Sequence, residues 1–289
     1  MPGPLFLPRL PAVVLDLGSV TRNHAGMTFH DERRAFWEER LDADWTETGV
    51  GYRALGRSFN EWMYRVRQEV FAERVGALAV DWSRARVLDV GSGTGFYVRA
   101  WQRLGAVAVT GCDLTEAAVV RLRERFPGLR FERVDIADPQ GVFDEAEFDA
   151  VSCMDVLFHI TDDERYAAAV KSIAHLVRSG GYFVFSENFL HRPAQRGVNQ
   201  VNRPLEWITA RLDEAGFDVV HRSPFLMLMN AQVDAGPVWR KLWGGLLRAV
   251  TLTEPTGWLA GAALYPLERH LVRTRMESPT TEIMICRRR

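Results

Sequence analysis

Apolar residues recur at three- and four-residue spacing between 31 and 78, first as Phe36, Trp37 and Leu41, then as Phe59, Met63, Val66 and Val70. That period predicts helices ahead of the first strand. From Arg86 the pattern changes to short apolar or β-branched runs alternating with amphipathic stretches, as in a parallel sheet covered by helices. Strands are predicted at 86–90, 107–113, 129–134, 149–154 and 181–187, and helices at about 96–104, 116–126 and 162–177, the last stopped by Ser179-Gly180-Gly181. A further helix, 204–215, begins at Pro204 and ends before Gly216, and strands follow at 218–223 and 280–287. Between these strands, residues 228–279 are rich in Trp and Leu, with Trp239, Trp243, Leu246, Leu247, Trp258 and Leu264 among them. The expected fold is α/β: a seven-stranded, mostly parallel sheet with helices on both faces. A helical cap is expected at 1–80, the core at 81–227, an apolar insertion at 228–279 and the last core strand at 280–289.

Composition narrows the function classes. With 36 basic and 37 acidic residues the net charge is −1, so no whole-protein field gathers nucleic acid. Cys112, Cys153 and Cys286 are far apart and flanked by apolar residues, which argues against a metal site or a disulfide framework and for a reduced, cytoplasmic setting. Prolines at 2, 4, 8 and 11, Arg9 and Asp16 break the apolar stretch that a signal peptide needs. The apolar run Gly257 to Pro266 is far short of the ~20 residues that span a bilayer. The expectation is a protein with no integral membrane segment.

The chemistry concentrates at 87–97, Val-Leu-Asp-Val-Gly-Ser-Gly-Thr-Gly-Phe-Tyr, at a strand-to-helix junction. Gly91, Gly93 and Gly95 allow a tight turn and close approach of a ligand to the start of the next helix. A dinucleotide fingerprint would place glycine where Phe96 stands, and the Lys-Ser/Thr of a phosphate loop is absent. Asp89 sits badly beside a pyrophosphate but suits a ligand carrying an ammonium and a sulfonium. The second strand ends at Asp113, where a carboxylate can accept from a ribose diol, and the third leads to Asp135-Ile136, an acceptor for an adenine amino group beside an aliphatic surface. All lie at the carboxyl edge of the sheet, where open α/β folds bind ligands.

These residues resemble the class I S-adenosylmethionine (SAM) dependent methyltransferases, which have a Rossmann-like core, over roughly 84–224 and the last strand. The resemblance implies SAM as donor and S-adenosylhomocysteine as product. It also implies cofactor contacts from Asp89, Gly91, Gly93, Gly95, Asp113, Leu114, Asp135, Ile136, Met154 and Asp155. In that family leading helices often fold over the cofactor; Asn60, Tyr64 and Arg67 share one helical face, so Tyr64 or Arg67 is expected either to close the site or to lie on a polar surface.

Methyl transfer to a hydroxyl benefits from a general base. His159 after strand four, and Glu187 and His191 after strand five, are the candidates, each with a structural alternative in packing or capping. The expected activity is methylation of oxygen or nitrogen on a small-molecule acceptor, a natural product or sugar-like compound. The alternatives are a protein or RNA methyltransferase, whose Asn-Pro-Pro-Tyr-like motif is replaced here by Cys153-Met-Asp-Val, and a non-catalytic SAM-binding partner subunit. The insertion is expected to pack on the core, cap an apolar substrate or form a homodimer interface.

Overall fold

The computed structural model describes residues 29–289. The proline-punctuated stretch 1–20, and with it the first part of the expected cap, lies outside the described residues.

Among the described residues the main sheet has seven strands: β1 (Arg86–Val90), β2 (Ala108–Asp113), β3 (Arg130–Arg133), β4 (Phe148–Met154), β5 (Val177–Glu187), β8 (Phe217–Pro224) and β9 (Glu282–Arg288). Between β5 and β8, the short pair β6 (Gln195–Arg196) and β7 (Val201–Asn202) forms a separate hairpin. The sheet order is β3-β2-β1-β4-β5-β9-β8, parallel except at β9, which runs antiparallel to both neighbours. This is the expected Rossmann-like α/β sheet.

Period-2 alternation assigns each strand's two faces. Leu88 and Val90, Phe183 and Phe185, and Met284 and Cys286 enter one core, covered by α6 (Asp163–Leu176) and α7 (Leu205–Glu214). Val87, Val184, Ile283 and Ile285 enter the other, covered by α4 (Phe96–Arg103), α5 (Glu116–Arg125) and the leading helices. Thr115 and Asp162 cap α5 and α6, their side chains accepting from the amides of Ala118 and Arg165.

Ser179-Gly180-Gly181 does not stop a helix, as the pattern suggested. Helix α6 already ends at Leu176 and β5 starts at once, with Val177 opposite Phe148. The register shifts between Phe148 and Ala150, so the glycines, with Gly180 at φ +75°, mark an irregularity inside the strand.

The helical stretch before β1 resolves into α1 (Phe29–Ala43), α2 (Glu47–Val50), a 3₁₀ turn (Arg53–Leu55) and α3 (Gly56–Gly76). The insertion forms α8 (Pro237–Val250) and α9 (Glu254–Thr274). Helix α9 packs along α3. Gly261 permits the approach, since a Cβ there would meet Trp62 Cδ1 at 2.2 Å. Helix α3 has no side-chain cap of its own; Glu254 of α9 supplies one, accepting from the amides of Arg57 (3.0 Å) and Ser58 (2.6 Å). The fully buried Glu268 accepts from the amides of Met227 (2.6 Å) and Leu228 (2.8 Å), tying α9 to the chain leaving β8. The inward side of the insertion therefore packs on the core and on α3. Asn60 and Arg67 are buried as well, so their helical face is no polar surface.

Candidate active site

A cavity of about 370 Å³ opens at the carboxyl edge of β1, β2 and β4. That volume falls toward the small end of ligand pockets, roughly 300–1,000 Å³. Its floor is the turn from β1 into α4. Gly91 and Gly93 line it in left-handed conformation, φ +70° and +50°. A Cβ on Gly91 would lie 2.3 Å from Val156 Cγ2. Gly95 serves packing instead: it is absent from the cavity wall, and a Cβ there would strike Phe126 at 2.4 Å.

The acids divide in the same way. Asp113 lines the cavity and accepts from Gly93 N (2.9 Å) through Oδ2 and from Thr115 N (2.9 Å) and Oγ1 (2.7 Å) through Oδ1. Of the roughly four acceptor positions on a carboxylate, one on Oδ2 remains for a ribose hydroxyl; a second hydroxyl requires Thr115 Oγ1 to swing away. Burial raises the Asp113 pKa, and the bonds from Thr115 and Gly93 oppose it. Asp135 lines the cavity with its carboxylate held by Arg165, itself a lining residue, and accepts from Ala137 N at 3.0 Å.

Asp89 lies beneath the loop, off the cavity wall. Ser152 Oγ donates to its Oδ1 at 2.6 Å and accepts from Trp101 Nε1 at 2.8 Å, while Oδ2 is buried without a partner. Burial pushes its carboxyl up to about 7, against the Ser152 bond. Asp89 thus supports the loop from below rather than facing a ligand.

The upper wall comes from the leading helices. Arg33, Trp37 and Leu41 form one stripe of α1, at i, i+4 and i+8, and Tyr64 of α3 joins them. Arg67 stands behind the wall, donating to Asp155. Burial alone would lower the Arg67 pKa, but Asp155 prevails and raises it, so the guanidinium stays charged. Leu114, Ile136, Met154 and Asp155 all line the cavity as expected.

Of the three candidate bases only His159 reaches the cavity. Its Nδ1 lies 2.8 Å from the carbonyl of Asn199, in the β6–β7 turn. A carbonyl can only accept, so Nδ1 carries the proton and Nε2 the lone pair. Burial lowers the ring pKa to about 4. Trp37 meets the ring edge-on at 4.9 Å, and Arg33 donates to the same Asn199 through its side-chain oxygen.

Glu187 is fully buried away from the cavity, accepting from Tyr166 Oη at 3.3 Å. His191 lies on the outside, its Nδ1 2.8 Å from Asp234 Oδ2. Neither position suits a base acting in the cavity.

Burial pushes the Glu187 carboxyl up to about 8, against 4.5 in the unfolded chain. Between these values the native state holds a proton that the unfolded chain has lost. Its contribution to stability is therefore full below pH 4.5 and is lost as pH rises through 8, by at most about 1.4 kcal/mol per pH unit. Glu187→Gln is expected to remove this share of the decline. Urea unfolding of both proteins across that range checks it, and an identical decline in the variant means the carboxyl is ionised in the native state.

Residues that pattern reading passed over include Arg33, Trp37, Thr94, Tyr97 and Arg165, all on the cavity wall. Only the i, i+4, i+8 spacing on α1 signals any of them. The hydroxyl of Thr94 is buried without a protein hydrogen bond, and that of Tyr97 is buried against the Arg67 guanidinium. The glycine cradle, the free lone pair of Asp113 and the apolar Ile136 and Met154 fit a nucleoside carrying a polar amino-acid tail.

Among the described residues no group of His, Cys, Asp or Glu is arranged to hold a metal ion, and no helix is long and apolar enough to cross a membrane.

Comparison with known proteins agrees with this geometry. Residues 87–181 match a family described as a methyltransferase domain. The chain is also similar to the ubiquinone biosynthesis O-methyltransferases of Alkalilimnicola ehrlichii (38% identical over 105 residues, 35% of this chain and 40% of that protein) and Thiobacillus denitrificans (37% over 105 residues, 35% and 43%). The chain thus spans about two fifths of the length of the curated relatives it matches. In fold it is similar to a SAM-bound magnesium protoporphyrin IX methyltransferase from Synechocystis PCC 6803 (TM-score 0.56, 16% identity, 92% of this chain and 100% of that one). A SAM-dependent methyltransferase from Leishmania major is also similar (TM-score 0.55, 16% identity, 68% and 76%). Residues 87–181 are therefore similar to a methyltransferase domain, and the fold is similar to that of SAM-dependent methyltransferases.

Proposed function

We propose that this chain transfers a methyl group from SAM to a hydroxyl oxygen of a small-molecule acceptor. One observation carries the reading: a single cavity joins the glycine turn, Asp113, Ile136 and Met154 to His159, a neutral histidine whose Nδ1 is held by Asn199. The ubiquinone biosynthesis O-methyltransferase relatives support oxygen as the accepting atom. When bound, SAM supplies an electrophilic methyl on a sulfonium.

The chain's own residues divide the remaining work. Gly91 and Gly93 admit the amino-acid tail, Asp113 accepts from ribose, and Asp135 and Ile136 border the adenine. His159 Nε2 takes the acceptor's hydroxyl proton, while Asn199 holds the ring from behind. Trp37 and Tyr64 close the space from above, so the α1–α3 region acts as a cap on the core formed by 81–227 and 280–289, and the insertion packs along α3. The three buried free thiols support a cytoplasmic setting.

Calorimetry with S-adenosylhomocysteine tests the cofactor. Asp113→Ala is expected to weaken binding by at least about tenfold, a lost charge-assisted bond being worth roughly 1.5–3 kcal/mol. Unchanged binding removes Asp113 from the ribose. His159→Ala is expected to lower kcat by about 10²-fold or more while sparing that affinity. Because burial holds His159 near pKa 4, the wild-type kcat/KM profile should show no His159 inflection near the ordinary value of 6.5. Such an inflection, abolished in His159→Ala, would overturn the burial of the ring. Binding without turnover of any hydroxyl-bearing acceptor would favour the partner-subunit alternative.

A further inference from the structure

Helix α8 is apolar on its solvent side as well as on its packed side, where Leu247 enters the core. Val238, Trp239, Leu242 and Leu246, at three- and four-residue spacing, are 70%, 48%, 66% and 51% exposed. The packed side is held by Leu247 and by two hydrogen bonds: Arg240 donates to Gln195 Oε1 at 3.3 Å, and Trp243 Nε1 to the carbonyl of Leu228 at 2.7 Å. The apolar surface continues beyond the helix end at Leu252, which is almost fully exposed.

Charge indicates what covers it. Residues 237–275 contain six Lys or Arg and two Glu, in a chain whose overall net charge is −1. Both acids are engaged with backbone amides, Glu254 at the start of α3 and Glu268 after β8. Arg269 and Arg273 are engaged with Glu69 and Glu73. By helical spacing Lys241 and Arg248 flank one edge of the exposed apolar stripe. A second copy docking through a two-fold axis would bring this basic patch against itself.

We propose that the outer face of α8 docks on an anionic lipid surface. Leu242 and Leu246 enter the acyl boundary, Trp239 sits at headgroup level, and Lys241 and Arg248 meet the lipid phosphates. The attachment is peripheral, since no described helix can span a bilayer. It also lies beside the chemistry: Arg240 bonds to Gln195 of β6, in the hairpin whose Asn199 holds His159. The inference stands on α8 alone and does not rest on the methyltransferase reading.

The test is co-sedimentation of the full chain with large vesicles of equal parts phosphatidylglycerol and phosphatidylcholine, and with phosphatidylcholine alone. Binding to the anionic vesicles is expected, weakening with added salt. Lys241→Glu should lower it by about fivefold or more. Leu242→Glu with Leu246→Glu should abolish it while leaving the melting temperature unchanged, both side chains being exposed. Failure to bind anionic vesicles at about 0.1 M salt, where the Debye length is ~10 Å, overturns the proposal, as does equal binding by the double variant. A dimer in light scattering that the double variant dissociates would assign the face to a second copy instead.

Discussion

Arg67→Met is expected to lower the unfolding free energy by about 3 kcal/mol, at the low end of the ~3–5 kcal/mol measured when one partner of a buried ion pair is removed. The low end applies because the Arg67 side chain is 7% exposed but that of Asp155 is 27% exposed. Asp155 is also held in an unusual shape. Its φ of +58° is left-handed for a residue with a Cβ, and Ser186 Oγ clamps it, accepting from Asp155 N at 2.8 Å and donating to Oδ1 at 2.9 Å. Arg67 supplies the opposing charge from α3 while its guanidinium lies over the Phe225 ring at 4.9 Å. Removing it leaves a strained carboxylate uncompensated at the cavity wall. Asp155→Asn added to Arg67→Met should recover most of the loss, so a double-mutant cycle in urea reads the coupling directly. A single variant within about 0.5 kcal/mol of wild type would show the pair to be incidental.

Gly91→Ala is expected to cost about 2–6 kcal/mol of stability and to weaken S-adenosylhomocysteine binding by at least about tenfold. Roughly 1–3 kcal/mol comes from holding alanine at φ +70°. A further ~1–3 kcal/mol comes from overpacking, because the new methyl lies 2.3 Å from Val156 Cγ2, with Val156 Cγ1 and Cβ 3.3 and 3.4 Å away. Rotating Val156 about χ1 therefore relieves only part of the clash. The turn would shift, and with it the amide of Gly93 that donates to Asp113. Thermal unfolding and calorimetry check both effects; a variant with wild-type melting and wild-type binding would show that the turn tolerates a Cβ.

Much of this was legible from spacing. The alternation of apolar runs and amphipathic stretches located every strand of the main sheet to within about four residues. The largest discrepancy, the start of β5, arose because Val177 pairs with Phe148, a contact remote in sequence. Gly91, Gly93, Asp113, Leu114, Asp135, Ile136, Met154, Asp155, Tyr64 and His159 all reach the cavity. Asp89 and Gly95 share the same motif but not the cavity: Asp89 points to Ser152 from the face of β1 opposite Val90, and Gly95 packs on Phe126 where α4 begins. Glu187 alternates inward at the end of β5, beneath Tyr166. His191, four residues later, has left the sheet and pairs with Asp234.

The sequence by itself determined the strands, the order of acids along the carboxyl edge and the left-handed glycine turn, because these depend on period, on backbone preference and on one βα unit at a time. Only the tertiary structure decided which groups face one another. Arg67 meets Asp155 across 88 residues, Glu254 caps α3 from 196 residues away, and Asn199 sets the His159 tautomer from a hairpin beyond the next strand. Long-range pairs are selected by how helices pack on the sheet, and local pattern carries no signal for them. The same holds for α8: its apolar face is plain in the spacing, but only packing shows that this face points outward.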